Sequence, residues 1–197
     1  MTPAAEVSVP DFDALYRTNA DPWQVRSSFY ERRKLEIVLS SLSSESYAAA
    51  WDPACGVGEL AARLAGRSTR VLATDASAEA VRLTRARCAG LDAVTAVGQA
   101  LPAAPPADFP RPDLVVLSEF LYYLTAPDRA ESLQMIDASA APEAELMSLH
   151  WRHKPGDAWL SGADTQGEIS RALIGLGWQP VVHHDDRDFV LDSFERR

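Results

Sequence analysis

The chain has 197 residues, 47% hydrophobic and 24% charged, and its 19 basic and 28 acidic residues give a formal net charge of −9. This length favours one compact domain, and the acidic balance argues against binding to nucleic-acid backbones, so a small neutral or cationic substrate is the better match. Two cysteines cannot form a disulfide framework and no apolar run reaches the ~20 residues that span a bilayer, so we expect a soluble cytoplasmic protein without a membrane or nucleic-acid partner.

The first 45 residues differ in character from the rest of the chain. Residues 11–16 and 28–41 are predicted to be helices, separated by a turn-like segment at residues 19–22. From residue 47 onward the pattern changes to alternating strands and helices. We therefore divide the chain into an N-terminal helical cap, residues 1–45, and one compact α/β unit, residues 46–197.

Short buried strands alternate with helices in the second part. The predicted strands are residues 47–52, 71–74, 94–97, 114–117, 146–149, 180–183 and 189–194, and the predicted helices are residues 59–64, 79–88, 130–138 and 168–176. This alternation is typical of a doubly wound, Rossmann-like α/β sheet of seven mostly parallel strands, with an antiparallel C-terminal strand. Ligands of such sheets bind beyond the carboxyl ends of the strands.

The turn after the first strand contains Gly56 and Gly58 and is preceded by Asp52. Glycines between a strand and a helix permit a tight reversal and let a ligand approach the backbone. Asp75 ends the next strand, about 20 residues after Asp52, where an acid accepts hydrogen bonds from ribose hydroxyls. The pair predicts a ligand that contains adenosine.

The identity of the nucleoside depends on Asp52. Gly56-x-Gly58-x-x-Ala61 also fits the dinucleotide template, so an NAD-dependent oxidoreductase is one alternative. A carboxylate at Asp52 would repel a pyrophosphate but would hold an ammonium group. S-adenosylmethionine carries an ammonium group and a ribose but no phosphate, and is therefore favoured. A non-catalytic protein that holds this cofactor is the second alternative.

The segment from Asp52 to Gly58 resembles the first motif, acid-x-Gly-x-Gly-x-Gly, of the class I S-adenosylmethionine-dependent methyltransferases. Ala54 replaces the first glycine of that motif. The resemblance covers residues 47–195 and implies that Asp75 binds ribose and that Gln99 lies near adenine. The chain departs from the family at Gln99, where an acid is common, and at residues 141–143, which replace a Pro-Gly-Gly turn.

Five further blocks occur in the chain, namely Phe12-Asp13-x-Leu15-Tyr16, Asp21-Pro22-Trp23, Tyr30-Glu31-Arg32-Arg33-Lys34, Ser118-Glu119-Phe120-Leu121-Tyr122-Tyr123-Leu124 and His150-Trp151-Arg152-His153. Together they resemble the nodulation protein S family, N-methyltransferases that act on an amine of a deacetylated chitooligosaccharide. The resemblance implies an EC 2.1.1 enzyme that methylates an amine, such as that of an amino sugar or oligosaccharide, and releases S-adenosyl-L-homocysteine. It also implies that the N-terminal segment covers the active site.

The candidate site residues follow from the strand ends and from these blocks. Glu119, Tyr123 and His150 are expected to face the methyl acceptor, since a carboxylate or an imidazole can take the proton of an amine. The residues expected at the cofactor are Trp23, Tyr30, Arg33, Asp52, Ala54, Gly56, Gly58, Asp75, Ala76, Gln99, Ala100 and Ser118. No Cys/His spacing fits zinc, so no metal is expected. The sequence leaves open the acceptor, the methylated atom, and the choice between monomer and homodimer.

Overall fold

A seven-stranded sheet forms the centre of the protein, and the computed structural model describes residues 9–196. The strands are β1 (Tyr47–Pro53), β2 (Ser68–Asp75), β3 (Val94–Gly98), β4 (Leu114–Ser118), β5 (Glu145–Trp151), β6 (Gln179–Asp185) and β7 (Phe189–Glu195). The helices are α1 (Phe12–Thr18), α2 (Phe29–Ser41), α3 (Glu59–Leu64), α4 (Ala78–Arg87), α5 (Ala126–Ser139) and α6 (Gly162–Gly175), with a short 3₁₀ turn at Leu121–Tyr123.

The strand order is β3-β2-β1-β4-β5-β7-β6. Strands β1 to β5 pair in parallel, whereas β7 runs antiparallel to both of its neighbours, β5 and β6. The prediction of a mostly parallel seven-stranded sheet with an antiparallel C-terminal strand is confirmed. The strand order reverses between β1 and β4, so the crevice for a ligand lies at the carboxyl ends of these two strands.

Helices cover both faces of the sheet, which explains why the central strands are hydrophobic along their whole length. In β4, Leu114 and Val116 contribute to one core cluster, while Val115 and Leu117 contribute to the other. The first cluster contains side chains of α2, α3 and α4, and the second contains side chains of α5 and α6. Alternate residues of one strand therefore pack against helices on opposite faces of the sheet.

Two helices begin earlier than the sequence pattern predicts. Helix α5 starts at Ala126 instead of residue 130, and α6 starts at Gly162 instead of residue 168. In both cases a hydroxyl side chain, Thr125 or Ser161, accepts a hydrogen bond from a backbone N–H of the first turn and thereby caps the helix. None of the helices within residues 9–196 is both long enough and apolar enough to cross a membrane.

The N-terminal helices pack against the carboxyl edge of the parallel strands. Tyr16 of α1 packs in a small buried cluster with Leu83 of α4, and Val38 of α2 joins the main core. The Asp13 carboxylate of α1 accepts hydrogen bonds from the Ser77 hydroxyl (2.8 Å) and from the backbone N–H of Glu79 (2.9 Å). Residues 1–8 of the predicted cap lie outside the described residues.

Candidate active site

A cavity of about 870 Å³ opens at the carboxyl ends of β1, β2 and β4, beneath α1 and α2. Its volume falls in the range of small-molecule sites. Most of the predicted site residues line it, namely Trp23, Tyr30, Asp52, Ala54, Gly56, Asp75, Ala76, Gln99, Ala100, Ser118, Glu119 and Tyr123. Arg33, Gly58 and His150 are not among the lining residues. The structure thus brings together side chains from both parts of the chain.

The loop after β1 is a tight left-handed turn. Gly56 has a φ of +55°, and a Cβ placed there would lie 2.9 Å from the hydroxyl of Tyr16 on α1. Gly58 has a φ of +80° and begins α3, where a Cβ would come within 3.0 Å of the Thr84 backbone on α4. Gly56 therefore permits Tyr16 of α1 to pack closely on the loop at the cavity wall. Gly58 permits α3 and α4 to pack closely and does not line the cavity.

Asp52 is 1% exposed, and its Oδ2 has no hydrogen-bond partner within the described residues. Burial, reinforced by the neighbouring carboxylate of Asp75, raises the pKa of Asp52 to about 8. Buried polar atoms normally have partners, so an orphaned carboxyl oxygen at a cavity wall fits a ligand that brings a cationic N–H group.

Asp75 ends β2, and both of its carboxylate oxygens face backbone donors. Oδ2 accepts from the N–H of Gly56 (3.0 Å) and Oδ1 from the N–H of Ser77 (2.9 Å). Burial raises the pKa of Asp75, and the backbone N–H groups partly offset this. Each oxygen keeps a second lone pair, so the carboxylate can also accept from a diol.

Gln99 follows β3, where its side-chain amide is held in place. Its Nε2 donates to the carbonyl oxygens of Ala103 (2.9 Å) and Ala104 (3.0 Å). The amide oxygen is therefore the end of this side chain that is suited to accept a hydrogen bond from a ligand.

Glu119 directly follows β4 and lies in the left-handed region, with a φ of +64°. Its Oε1 binds the Nζ of Lys34 (2.6 Å), and its Oε2 accepts from the Tyr122 hydroxyl (2.8 Å) and the Trp151 N–H (2.7 Å). Burial alone would raise the pKa of Glu119, but Lys34, together with the hydrogen bond from the Trp151 N–H, brings it below its ordinary value. Glu119 is therefore ionised and a weak base.

His150 is fully buried on β5 and does not reach the cavity. Its Nδ1 is bonded to the Gln166 side chain (3.0 Å), and the ring of Tyr122 lies against the imidazole, with centroids 5.2 Å apart. Burial lowers the pKa of His150 to about 4. This geometry does not support the expected contact between His150 and the acceptor, because the side chain lies on the opposite face of the strand from the cavity residues Leu149 and Trp151.

Arg33 also lies away from the cavity. Its guanidinium group pairs with Asp186 in the turn between β6 and β7 and lies over the Phe189 ring, 5.7 Å from its centroid. The hydrogen bond from Arg33 lowers the pKa of Asp186 to about 2. Arg33 therefore ties α2 to the last two strands, and the structure does not support its expected contact with the cofactor.

Aromatic side chains from α1 and from the 3₁₀ turn form one wall of the cavity. Phe12 contacts Tyr123 edge to face, with centroids 5.0 Å apart, and lies 6.3 Å from Trp23. Tyr123 in turn contacts Tyr122, at 4.7 Å. Such a wall is suited to the flat or apolar part of a ligand.

The lining residues that were not predicted as site residues include Tyr16, Glu31 and Lys34. The sequence held a signal for the last two, because Tyr30, Glu31 and Lys34 follow the three- and four-residue spacing that places side chains on one helix face. Since Tyr30 was selected, its neighbours on that face were candidates as well. Tyr16 lacked this signal, because Phe12, four residues earlier on α1, was not a predicted site residue either.

Comparison with known proteins agrees with this geometry. A family profile described as a methyltransferase domain matches residues 50–143. A candidate methyltransferase from Pseudomonas syringae, known from its crystal structure, is 33% identical, and the alignment covers 86% of this chain and 100% of that chain with a TM-score of 0.73. No match is found among curated proteins.

Two further structures share the fold at lower identity. The N-methyltransferase NodS from Bradyrhizobium japonicum, in complex with S-adenosyl-L-homocysteine, is 19% identical over 95% of this chain and 99% of that chain, with a TM-score of 0.77. Magnesium protoporphyrin IX methyltransferase from Synechocystis, with bound S-adenosylmethionine, is 15% identical over 98% and 100% of the two chains, with a TM-score of 0.72. Enzymes with such different names share one fold, so the fold does not fix the acceptor.

The relative from Pseudomonas syringae is matched over its whole length, and the family profile covers the strands and turns that carry Asp52, Asp75 and Glu119. Neither an oxidoreductase nor a non-catalytic cofactor-binding protein is favoured by these matches. The chain therefore belongs to the methyltransferase family and is an enzyme.

Proposed function

We propose that the enzyme transfers a methyl group to the amine nitrogen of a small molecule, with amino sugars and oligosaccharides as the first candidates. The observation that supports this proposal is the charge of the cavity. Its lining includes one cationic side chain, Lys34, and six acidic ones, namely Glu31, Asp52, Glu59, Asp75, Glu119 and Asp157. Asp52 is protonated in the free protein and Glu59 pairs with Arg26 and Arg87, but the remaining four acids still outnumber Lys34. Such a lining attracts a cationic or amine-bearing acceptor and disfavours an acceptor that carries phosphate or carboxylate.

In this proposal the residues at the strand ends hold the cofactor. The unpartnered oxygen of Asp52 binds the ammonium group, and Asp75 binds the ribose hydroxyls. The amide oxygen of Gln99 accepts from the adenine amino group, and the backbone of Gly56 lines the cavity beside Asp75. When bound, S-adenosylmethionine supplies a methyl group on a positively charged sulfur. Residues 46–197 thus form the methyltransferase domain, and the helices within residues 1–45 form the cap.

The ionised Glu119 orients the acceptor. Methyl transfer requires a neutral amine nitrogen, and this nitrogen gains the positive charge that the sulfur loses. Because Glu119 is held ionised by Lys34 and already accepts hydrogen bonds from Tyr122 and Trp151, it stabilises that growing charge more effectively than it would remove a proton. Tyr123 borders the same part of the cavity.

Replacing Glu119 with glutamine is expected to lower kcat/KM for amine acceptors roughly tenfold or more, because a charge-assisted contact is lost. Activity is measured on a panel of amino sugars, polyamines, alcohols and carboxylic acids, with calorimetry for cofactor affinity. Cofactor affinity is expected to stay within about twofold, and Glu131→Gln, an exposed glutamate on α5, serves as the matched control. A wild-type preference for alcohols or acids, or full activity of the Glu119 variant, would contradict the proposal.

Cofactor binding is expected to release about one proton at pH 6.5. In the free protein the raised pKa of Asp52, about 8, keeps its carboxyl protonated at this pH, whereas a bound ammonium favours the ionised form. Affinity should accordingly rise with pH up to about this pKa. Calorimetry in buffers with different ionisation enthalpies measures the release, which Asp52→Asn should abolish. Binding enthalpies that do not depend on the buffer would refute the role of Asp52.

The raised pKa of Asp52 also affects the stability of the protein in the absence of cofactor. The carboxyl of Asp52 loses its proton near its ordinary pKa in the unfolded chain but at a higher pH in the folded protein. Between these two values unfolding releases a proton, so the contribution of Asp52 to stability falls as the pH rises through this window. The cofactor should therefore stabilise the protein more at pH 8 than at pH 5.

A further inference from the structure

We propose that Lys34, on α2 of the cap, is a positioning residue that keeps the Glu119 carboxylate ionised and fixed in the orientation that the acceptor needs. The inference rests on the proposed function, in which Glu119 contacts the acceptor. It assigns to the cap a part in catalysis beyond covering the cavity.

Lys34 is 7% exposed and lies between two carboxylates. Its Nζ is 2.6 Å from Oε1 of Glu119 and 2.9 Å from Oε2 of Glu31, and it lies over the ring of Tyr30, 4.9 Å from the centroid. Burial alone would lower the pKa of Lys34, but the two glutamates raise it above its ordinary value. The lysine therefore stays charged.

The chain uses lysine sparingly, since its sequence contains two, Lys34 and Lys154. Arginine supplies the other basic side chains, and four of the described ones, Arg17, Arg63, Arg82 and Arg187, form surface ion pairs. A compact ammonium group fits between two carboxylates in a confined space, where the broad planar guanidinium group would need more room. This choice of residue agrees with a specific role at this position.

The groups that face Glu119 identify Lys34 as its source of positive charge. They come from α2, the 3₁₀ turn and β5, and they are Tyr30, Glu31, Lys34, Tyr122, Tyr123, His150 and the backbone N–H of Trp151. Among these groups His150 is neutral, because burial lowers its pKa to about 4. Without Lys34, the carboxylates of Glu31 and Glu119 would share one partly buried site, which raises the pKa of both.

The backbone conformation of Glu119 is an independent reason why its side chain needs contacts that hold it in place. Glu119 has a φ of +64°, a backbone conformation that residues other than glycine rarely adopt. Its carboxylate contacts three elements at once, through Lys34 of α2, Tyr122 of the 3₁₀ turn and the N–H of Trp151 in β5. The ammonium of Lys34 is the contact that depends on the docked cap.

The test replaces Lys34 with methionine, an unbranched side chain one atom shorter that removes the charge, and with arginine, which keeps the charge. Lys154→Met, at an exposed position, is the matched control. With glucosamine, chitosan oligosaccharides and putrescine as probes, Lys34→Met should lower kcat roughly tenfold at pH 7. The ratio of its kcat/KM to that of wild type should rise with pH, because Glu119 regains its charge. Lys34→Arg keeps the positive charge in a larger group, so it should keep the wild-type pH profile at a lower kcat. A ratio that is flat with pH would overturn the inference.

A second readout needs no turnover. In protein labelled with carbon-13 at glutamate carboxyl groups and saturated with S-adenosyl-L-homocysteine, the Glu119 resonance is assigned by its loss in Glu119→Gln. It should titrate about one pH unit or more higher in Lys34→Met than in wild type. Lys34→Gln, which keeps a hydrogen-bond donor, replaces the methionine variant if that one does not fold. An unchanged titration would refute the role of Lys34, whereas a shifted titration in an enzyme that methylates no amine would refute only the proposed function.

Discussion

Replacing Asp75 with asparagine is expected to weaken S-adenosylmethionine binding roughly 10- to 100-fold, since a charge-assisted hydrogen bond contributes about 1.5–3 kcal/mol. The carboxylate already accepts from the N–H groups of Gly56 and Ser77, and its remaining lone pairs are placed for the ribose. Asparagine keeps the shape but turns one acceptor into a donor. That donor would face a backbone N–H or a ribose hydroxyl.

Calorimetric titration measures the affinity, and thermal unfolding without cofactor shows how much the fold itself is affected. Asp92→Asn, at an exposed acid between α4 and β3, is the matched control and should bind normally. An affinity of Asp75→Asn equal to that of wild type would show that the carboxylate does not hold the cofactor.

Replacing Gly162 with alanine is expected to destabilise the protein by about 3 kcal/mol or more, at the upper end of the usual cost of overpacking. A Cβ at this position would lie 1.8 Å from the carbonyl oxygen of Trp151 and 3.0 Å from the Cβ of His150. Both neighbours belong to the buried β5, so relief requires moving either the strand or the start of α6. The loop between them carries Pro155 and Asp157, which line the cavity, so activity should fall with stability.

Urea denaturation monitored by tryptophan fluorescence measures this loss as a lower midpoint at an unchanged slope. Gly156→Ala is the matched control, since Gly156 lies in the loop between β5 and α6 and a Cβ there would meet nothing within 4 Å. Equal midpoints for Gly162→Ala and wild type would show that the close approach of α6 to β5 is not required.

The fold and the two strand-end acids could be predicted because their signals are local. Alternating hydrophobic strands and helices specify a parallel sheet, and parallel strands bring their carboxyl ends to one edge. Asp52 and Asp75 end neighbouring strands, so their proximity follows from the topology. Helix starts were less predictable, since capping by Thr125 and Ser161 lengthens two helices beyond their hydrophobic pattern.

Side-chain direction was harder to predict. His150 follows Leu149, and neighbouring residues in a strand point to opposite faces, so one lines the cavity and the other is buried against Gln166 of α6. Arg33 and Lys34 are likewise neighbours on a helix, and their side chains reach different partners, Asp186 and Glu119. Those partners are distant in the chain, and no local pattern identifies them.

The Asp13 carboxylate, which binds the Ser77 hydroxyl and the N–H of Glu79, links the order of synthesis to the order of folding. Helix α1 has seven residues, too few to be stable alone, and leaves the ribosome well before the segment that it caps. It can therefore dock only after β2 and α4 have been made. Helix α1 is thus among the last elements of this fold to pack, and the turn beside Asp75 is completed only at that step.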